Sequence, residues 1–240
     1  MTSATSSTTL STASKDKIFY ISMAAAMAVT VFVGFAPTFF LKVFSDSPPL
    51  SPLLHVHGAA FASWYLILLT QATLIANGRP DIHRLLGLAG FCLAILMVVL
   101  GVAAAIGAIR SNHTPPGLDP RSFLVLPFFG ITVFAILVGA GFLARKRPET
   151  HKRLMLLASI AMLDAAIARI PGVFAFGGPL ASFGLQDLFV IACIVYDFAS
   201  RRRIHPAYLV GGLFILAMQP LRLVVSQTPW WLAFGDWLKG

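Results

Sequence analysis

Charged side chains are scarce: they make up 11% of the 240 residues, where soluble domains average about 25%. That leaves too little polar surface to coat a water-soluble globule. Cysteine occurs twice, as Cys92 and Cys193, and both fall inside apolar runs, so no disulfide framework is implied. With 6 histidines the chain cannot carry the eight-histidine set of membrane desaturases. HExxH, GxSxG and Walker patterns are missing, as is any pair of histidines spaced HxxxH. No polar stretch is long enough for an extramembrane domain. What remains is 58% hydrophobic, with a mean hydropathy of +0.83.

The apolar residues come in runs of membrane-spanning length, on the order of 20 residues. Seven are read, at about 18–41, 53–76, 83–109, 122–144, 152–171, 184–200 and 206–227. Lipid offers no partners to unpaired backbone groups, so each must be helical. Ser51-Pro52 supplies an N-cap and a first-turn proline for the second run, and Pro206 does the same for the seventh. The expected fold is an all-α polytopic membrane bundle of about seven transmembrane helices over residues 18–240. The Ser/Thr-rich residues 1–17 read as a disordered cytoplasmic tail with no signal-peptide core.

Basic residues set the expected orientation. Lys15, Lys17, Arg79, Arg84, Arg145, Lys146, Arg147, Lys152, Arg153, Arg201, Arg202 and Arg203 share one face, against Lys42, Arg110, Arg121 and Lys239 on the other. The positive-inside rule puts the first face in the cytoplasm of a bacterial inner membrane and the C-terminus outside. Trp230, Trp231 and Trp237 then fall near the outer interface. The net charge of +9 is mostly this bias; it suits anionic lipid at the cytoplasmic face and gives no reason to invoke nucleic acid.

Two segments repeat: "GRPDIHRLLG" at 78–87 and "KRPETHKRLM" at 146–155, with a weaker third copy, "RRRIHPAYLV", at 201–210. Each places a histidine (His83, His151, His205) at the cytoplasmic mouth of an apolar run, so spans 2–3, 4–5 and 6–7 read as three copies of a helical hairpin. The bland reading makes these histidines interfacial, with Arg84, Lys152 and Arg153 snorkelling to lipid phosphates; His205, followed by proline, reads as a boundary residue. A second group lies toward the outer leaflet: His57, Asp164, Arg169, Asp187 and Arg222, with Gln186 and Gln219 in the same layer. A lone charge near the bilayer centre costs about 2.5–3.5 kcal/mol even on lenient scales, so these groups should face inward and pair. Asp164 and Arg169 are about 140° apart round a helix. The expected pairs are therefore Arg169 with Asp187 and Arg222 with Asp164. His55 and His57 point in nearly opposite directions on a regular helix; His57 is deeper and precedes Gly58, where a neighbour could approach, so it reads as the inward residue and candidate metal ligand, and His55 as interfacial.

"LLHVHG" at 53–58, Gln71, "IHRLLG" at 82–87 and "HKRLMLLASIAMLDAAIAR" at 151–169, taken in order, resemble a family of bacterial polytopic membrane proteins defined only as a domain of unknown function. That resemblance implies a fold and no activity. More distantly, His57, His83 and His151 are similar to the first, second and fourth haem-ligating histidines of the ascorbate-reducible transmembrane b-type cytochromes. Span four, "RSFLVLPFFGITVFAILVGA", has no histidine, and His113 in the loop before it is a poor substitute. The resemblance therefore implies one inner haem b, held by His83 and His151 and suited to electron transfer. Two alternatives stand beside it: a membrane enzyme or carrier binding a metal ion or small anion at the outer cluster, and a structural or assembly protein without cofactor.

Reporter fusions at Gly240 and within residues 145–153 should report opposite sides of the membrane. The same side for both would remove one of the seven crossings.

Overall fold

The computed structural model describes residues 3–46, 48–112, 114 and 117–240, with side chains from Ala13 onward; His113 lies outside the described residues. Among the described residues the regular structure is all helical. α1 (Ser3–Phe35) continues into a π turn at Ala36–Phe40, followed by α2 (Pro52–Ala76) and α3 (Pro80–Arg110). Then come the single turn α4 (Pro120–Phe123), α5 (Val125–Leu143), α6 (Pro148–Ala161) and the single turn α7 (Asp164–Ile167). α8 (Val173–Arg201), α9 (Pro206–Val225) and α10 (Pro229–Lys239) complete the chain.

Among the described residues six helical segments are long and apolar enough to cross a membrane: Ala13–Phe40, Pro52–Ala76, Pro80–Arg110, Pro120–Lys146, Val173–Arg201 and Pro206–Val225. Their outward faces carry bare apolar side chains; Leu66, Val99 and Val210 are 63%, 60% and 70% exposed. A helical bundle that leaves such residues uncovered is dissolved in lipid, and the protein is a multi-pass membrane protein. The ends of α2 and α9 follow from their caps. The Ser51 hydroxyl accepts from the Leu54 N–H at 3.4 Å ahead of Pro52, and His205 Nδ1 accepts from the Ala207 N–H at 3.1 Å ahead of Pro206. α2 packs on α3, α5 on α6 and α8 on α9, which are the hairpin pairs suggested by the repeat.

Three boundaries differ from the sequence reading. α1 is already helical where the chain reads as tail, and Asp16 on it is tied to Lys152 and Arg201. α8 starts at Val173, ahead of the expected 184, and bends at Gly177 and Gly178 before Pro179. The apolar run 152–171 is not one helix. α6 ends at Ala161, Met162 and Leu163 interrupt it, and α7 resumes for one turn at Asp164.

No glycine or proline lies between residues 149 and 170, so local propensity does not cause this break. Tertiary hydrogen bonds hold it open. The Tyr65 hydroxyl on α2 donates to the Ser159 carbonyl at 3.0 Å, and Gln186 Nε2 on α8 donates to the Ile160 carbonyl at 2.8 Å. Met162 and Leu163 N–H close the last turn on Ser159 and Ile160 at 3.3 and 3.0 Å. Asp164 Oδ1 accepts from the Ala165 N–H at 2.7 Å to restart the helix. Trp64 Nε1 completes the set by donating to Ser159 Oγ at 3.0 Å.

α1 crosses α7 at Gly34, where a Cβ would run into the Ala166 carbonyl. We predict that Gly34→Leu pushes α1 off α7 and destabilises the detergent-solubilised protein by about 1–3 kcal/mol, the scale of overpacking. The thermal aggregation midpoint reads this. Gly139→Leu, which meets nothing within 4 Å, is the control, and equal midpoints for the two variants would show the crossing to be slack.

Candidate functional site

Polar side chains gather at two levels of the bundle: a basic end, where α3, α6 and α9 begin, and a far end, where α2, α5 and α8 begin. At the basic end the first turns of α3 and α6 bring His83 and His151 together, with ring centroids 6.3 Å apart and planes at 90°. His151 Nδ1 lies 2.8 Å from the Gly141 carbonyl on α5. A carbonyl can only accept, so Nδ1 carries the proton and Nε2 keeps its lone pair for another partner. The His83 carbonyl accepts from Gln71 Nε2 at 3.1 Å. His83 Nδ1 and Gln71 Oε1 are buried without a hydrogen-bond partner. Buried polar groups are normally satisfied, so two neglected atoms beside one histidine pair mark a place where something else is expected to bind.

Beside this pair lies an ionic network that the sequence reading missed. Arg153, read as snorkelling to lipid, is fully buried together with Asp197 of α8. Its Nε and Nη2 meet the two Asp197 oxygens at 2.9 and 2.5 Å, a bidentate fork, and its Nη1 meets Glu149 Oε2 at 2.7 Å. Asp197 also takes Arg201 Nη1 at 3.3 Å and the His205 N–H at 3.0 Å. Asp16 accepts from Lys152 at 2.9 Å, Arg201 at 2.5 Å and the Tyr196 hydroxyl at 2.5 Å. Partial burial of Glu149 opposes its charge, but the bonds from Arg153 and Lys152 outweigh it and hold the carboxyl below its ordinary range. His205 is confined to capping α9, as its place before proline suggests. One signal for this network was present: an acid late in an apolar run, "IVYDFASRRR", is the pattern that singled out Asp164 and Asp187.

At the far end one expected pair forms and the other does not. Arg222 Nη1 of α9 meets Asp164 Oδ2 of α7 at 2.6 Å, and the guanidinium lies 4.9 Å from the Phe183 ring centroid. Asp187 does not pair with Arg169. It accepts from Gln219 Nε2 at 2.7 Å, and the same amide nitrogen reaches Gln186 Oε1 at 3.1 Å, which ties α9 to the donor that holds the helix break. Arg169 falls in the turn after α7, where its Nη1 donates to the Ala165 carbonyl at 2.8 Å and its guanidinium sits 4.8 Å from the Phe35 ring centroid. Its contacts are on α7 and α1, while Asp187 is held from α9, which accounts for the lost pair.

His57 stacks on Phe61 with centroids 4.1 Å apart, and its Nδ1 is buried without a partner. His55 is exposed at the end of α2, as expected of the outward residue. Trp230 and Trp237 are exposed, whereas Trp231 is buried and donates to the Arg121 carbonyl at 2.9 Å.

Among the described residues no three His, Cys, Asp or Glu side chains gather as a metal-binding group. A bare zinc-type ion needs about four ligands, so neither His57 nor the His83–His151 pair suffices for one. Two imidazoles suit a metal that brings its own equatorial ligands. Comparison with family models, with curated proteins and with solved structures finds no match.

The Arg153–Asp197 pair has a direct test. Arg153→Met should strand the buried Asp197 carboxylate and destabilise the protein by about 3–5 kcal/mol, while Arg153→Met/Asp197→Leu recovers much of the loss. Thermal unfolding in detergent measures both, and a double variant no better than the single would show that the network does not depend on charge pairing.

Proposed function

We propose that the protein binds one b-type haem between His83 and His151 and serves transmembrane or quinone-linked electron transfer. The observation that carries this is the isolated pair of imidazoles 6.3 Å apart. At that separation His83 and His151, on different helices, could each offer a ring nitrogen to one metal. The residues fit in three further respects. His151 holds the tautomer that leaves Nε2 to ligate, because the Gly141 carbonyl takes its Nδ1 proton. His83 has a buried nitrogen with no protein partner. No third protein donor competes for the metal among the described residues.

A bound haem supplies one-electron exchange at a potential set by its axial ligands and surroundings. The chain's share is to present two neutral imidazoles from different helices and to fix the orientation of His151 through Gly141. The buried Arg153–Asp197 pair beside them keeps the starts of α6 and α9 in register. His83 and His151, which are similar to two haem-ligating histidines of the b-type cytochromes, stand in the first turns of α3 and α6, and this supports the reading.

The topology belongs to the same proposal. α6, its break and α7 make a seventh crossing, the His83–His151 end faces the cytoplasm of a bacterial inner membrane, and the C-terminus lies outside. Twelve basic residues at the basic end against four at the other support that orientation.

Protein purified from haem-replete cells should show a sharp Soret band with a low-spin spectrum. His83→Ala or His151→Ala should abolish the low-spin signature, and His205→Ala should keep it. Full haem occupancy in the double variant His83→Ala/His151→Ala would overturn the assignment.

A further inference from the structure

The early start of α8 changes where Asp187 lies. With a span opening at 184 it belongs to the rim of the membrane. With α8 running from Val173 to Arg201 it stands at the midpoint, 14 positions from either end. That is roughly 21 Å of helix from the Arg201 end at 1.5 Å per residue, against a hydrocarbon core about 30 Å thick. Counted only from Pro179, past the kink, about 12 Å of helix still lies on its other side. Its neighbours on α8 face lipid: Leu188 and Ile191 are 56% and 50% exposed. Asp187 itself is half-buried, at the seam between that face and α9.

No cation answers this carboxyl. The elements packed on α8 are α1, α6, α7 and α9, and among the described residues none of their charged groups forms an ion pair with Asp187. α9 brings Gln219 and, one turn on, Arg222, which Asp164 of α7 holds at 2.6 Å. Arg169, beyond α7, rests on Ala165 and Phe35. The charged residues of α6, Glu149, Lys152 and Arg153, join Asp16 of α1 and Asp197 and Arg201 of α8 in the network at the basic end. A bare carboxylate at membrane depth is costly, and a buried acid without a partner cation takes its neutral form instead.

The amide beside it selects the oxygen that holds the proton. Gln219 Nε2 can only donate, so Oδ1, 2.7 Å away, is the acceptor. The same nitrogen reaches Gln186 Oε1 at 3.1 Å, and Gln186 Nε2 is fixed on the Ile160 carbonyl at 2.8 Å, so neither amide can turn over without loosening the helix break. Oδ2 has no hydrogen-bond partner among the described residues and is left for the proton. A Cβ added at Gly184, almost one turn back on α8, would meet nothing within 4 Å, so the approach to this carboxyl is open.

We propose that Asp187 is a proton-binding site inside the membrane, its carboxyl neutral with the proton on Oδ2 and exchangeable along the lipid-facing side of α8. Gln219 supports both states, because its N–H bonds a carboxylic or a carboxylate oxygen alike. Asp164, salt-bridged to Arg222, is the ionised acid of the same layer and provides the contrast. The site is remote from His83 and His151 and does not depend on haem.

A hydrophobic carbodiimide tests this, because the reagent partitions into the membrane and needs a protonated carboxyl. The acid O–H adds across one C=N bond: oxygen bonds to the central carbon and the proton goes to nitrogen. An acyl shift to nitrogen then leaves a stable acylurea with no atom lost. The full chain in phosphatidylcholine nanodiscs is treated with dicyclohexylcarbodiimide, and the modified peptide is identified by mass spectrometry. Asp187 should take a single label at about pH 7, where an aspartate of ordinary acidity, about 3.9, is protonated in roughly one molecule in a thousand. Labelling should decline only as the pH is raised into the alkaline range. Gln219→Leu, which removes the hydrogen bond to the carboxylate, should carry labelling to higher pH still. Asp187→Asn keeps an acceptor for Gln219 and should retain the thermal midpoint while taking up no label. Sodium should not slow the reaction at fixed pH. Folded protein left unmodified at Asp187 at neutral pH would overturn the proposal. So would modification of Asp164 in its place, labelling indifferent to pH, or protection by sodium, which would make this a metal-cation site.

Discussion

A backbone carbonyl inside a lipid bilayer has no water to turn to, and this constraint governs the middle of the bundle. After Ala161 the Ser159 and Ile160 carbonyls keep only the short-turn bonds from the Met162 and Leu163 N–H groups, and backbone left short of partners in hydrocarbon is costly. Tyr65 and Gln186 add a second donor to each from α2 and α8. Gln186 is in turn held by Gln219, and α7 is anchored by Arg222, both on α9. α2, α8 and α9 are thereby fastened to α6 and α7 around one break in the backbone. Side chains that elsewhere in the membrane would be a liability become the means of assembly.

The two ends solve the problem of charge differently. At the basic end the carboxylates of Asp16, Glu149 and Asp197 are shared among Lys152, Arg153 and Arg201, so these cations are paired within the protein. At the far end the numbers do not close. Two acids and two arginines are present, but an amide side chain takes one acid, and one arginine faces outward.

Much of this was legible in the sequence because span length and capping are local. Ser51-Pro52 and Pro206 mark their helix starts, and the paired "RPDIH" and "RPETH" motifs lie at the first turns of α3 and α6. Arg222 with Asp164 followed from depth along a helix and charge alone. The break in 152–171 was not legible, since its residues are ordinary helix formers and its cause lies on α2 and α8, about 94 and 26 residues away in sequence. Arg169 lies in the turn after α7 with its contacts on Ala165 and Phe35, while Gln219 holds Asp187, and neither arrangement follows from depth along a helix. Arg153 misled for a related reason. Its flank of Lys152 and Arg147 is that of an interfacial residue, and only the return of α8, 44 residues later, buries it.

α1 is gripped at two places. Asp16 binds Lys152 and Arg201 at the basic end, and Gly34 lets the helix seat against the Ala166 carbonyl at the far end. Gly34 is 18 positions along the same unbroken helix from Asp16, roughly 27 Å at 1.5 Å per residue. Such a rod transmits displacement with little compliance. α1 therefore joins the two ends of the bundle through a single rigid element, with Phe35 at its close lying against Arg169.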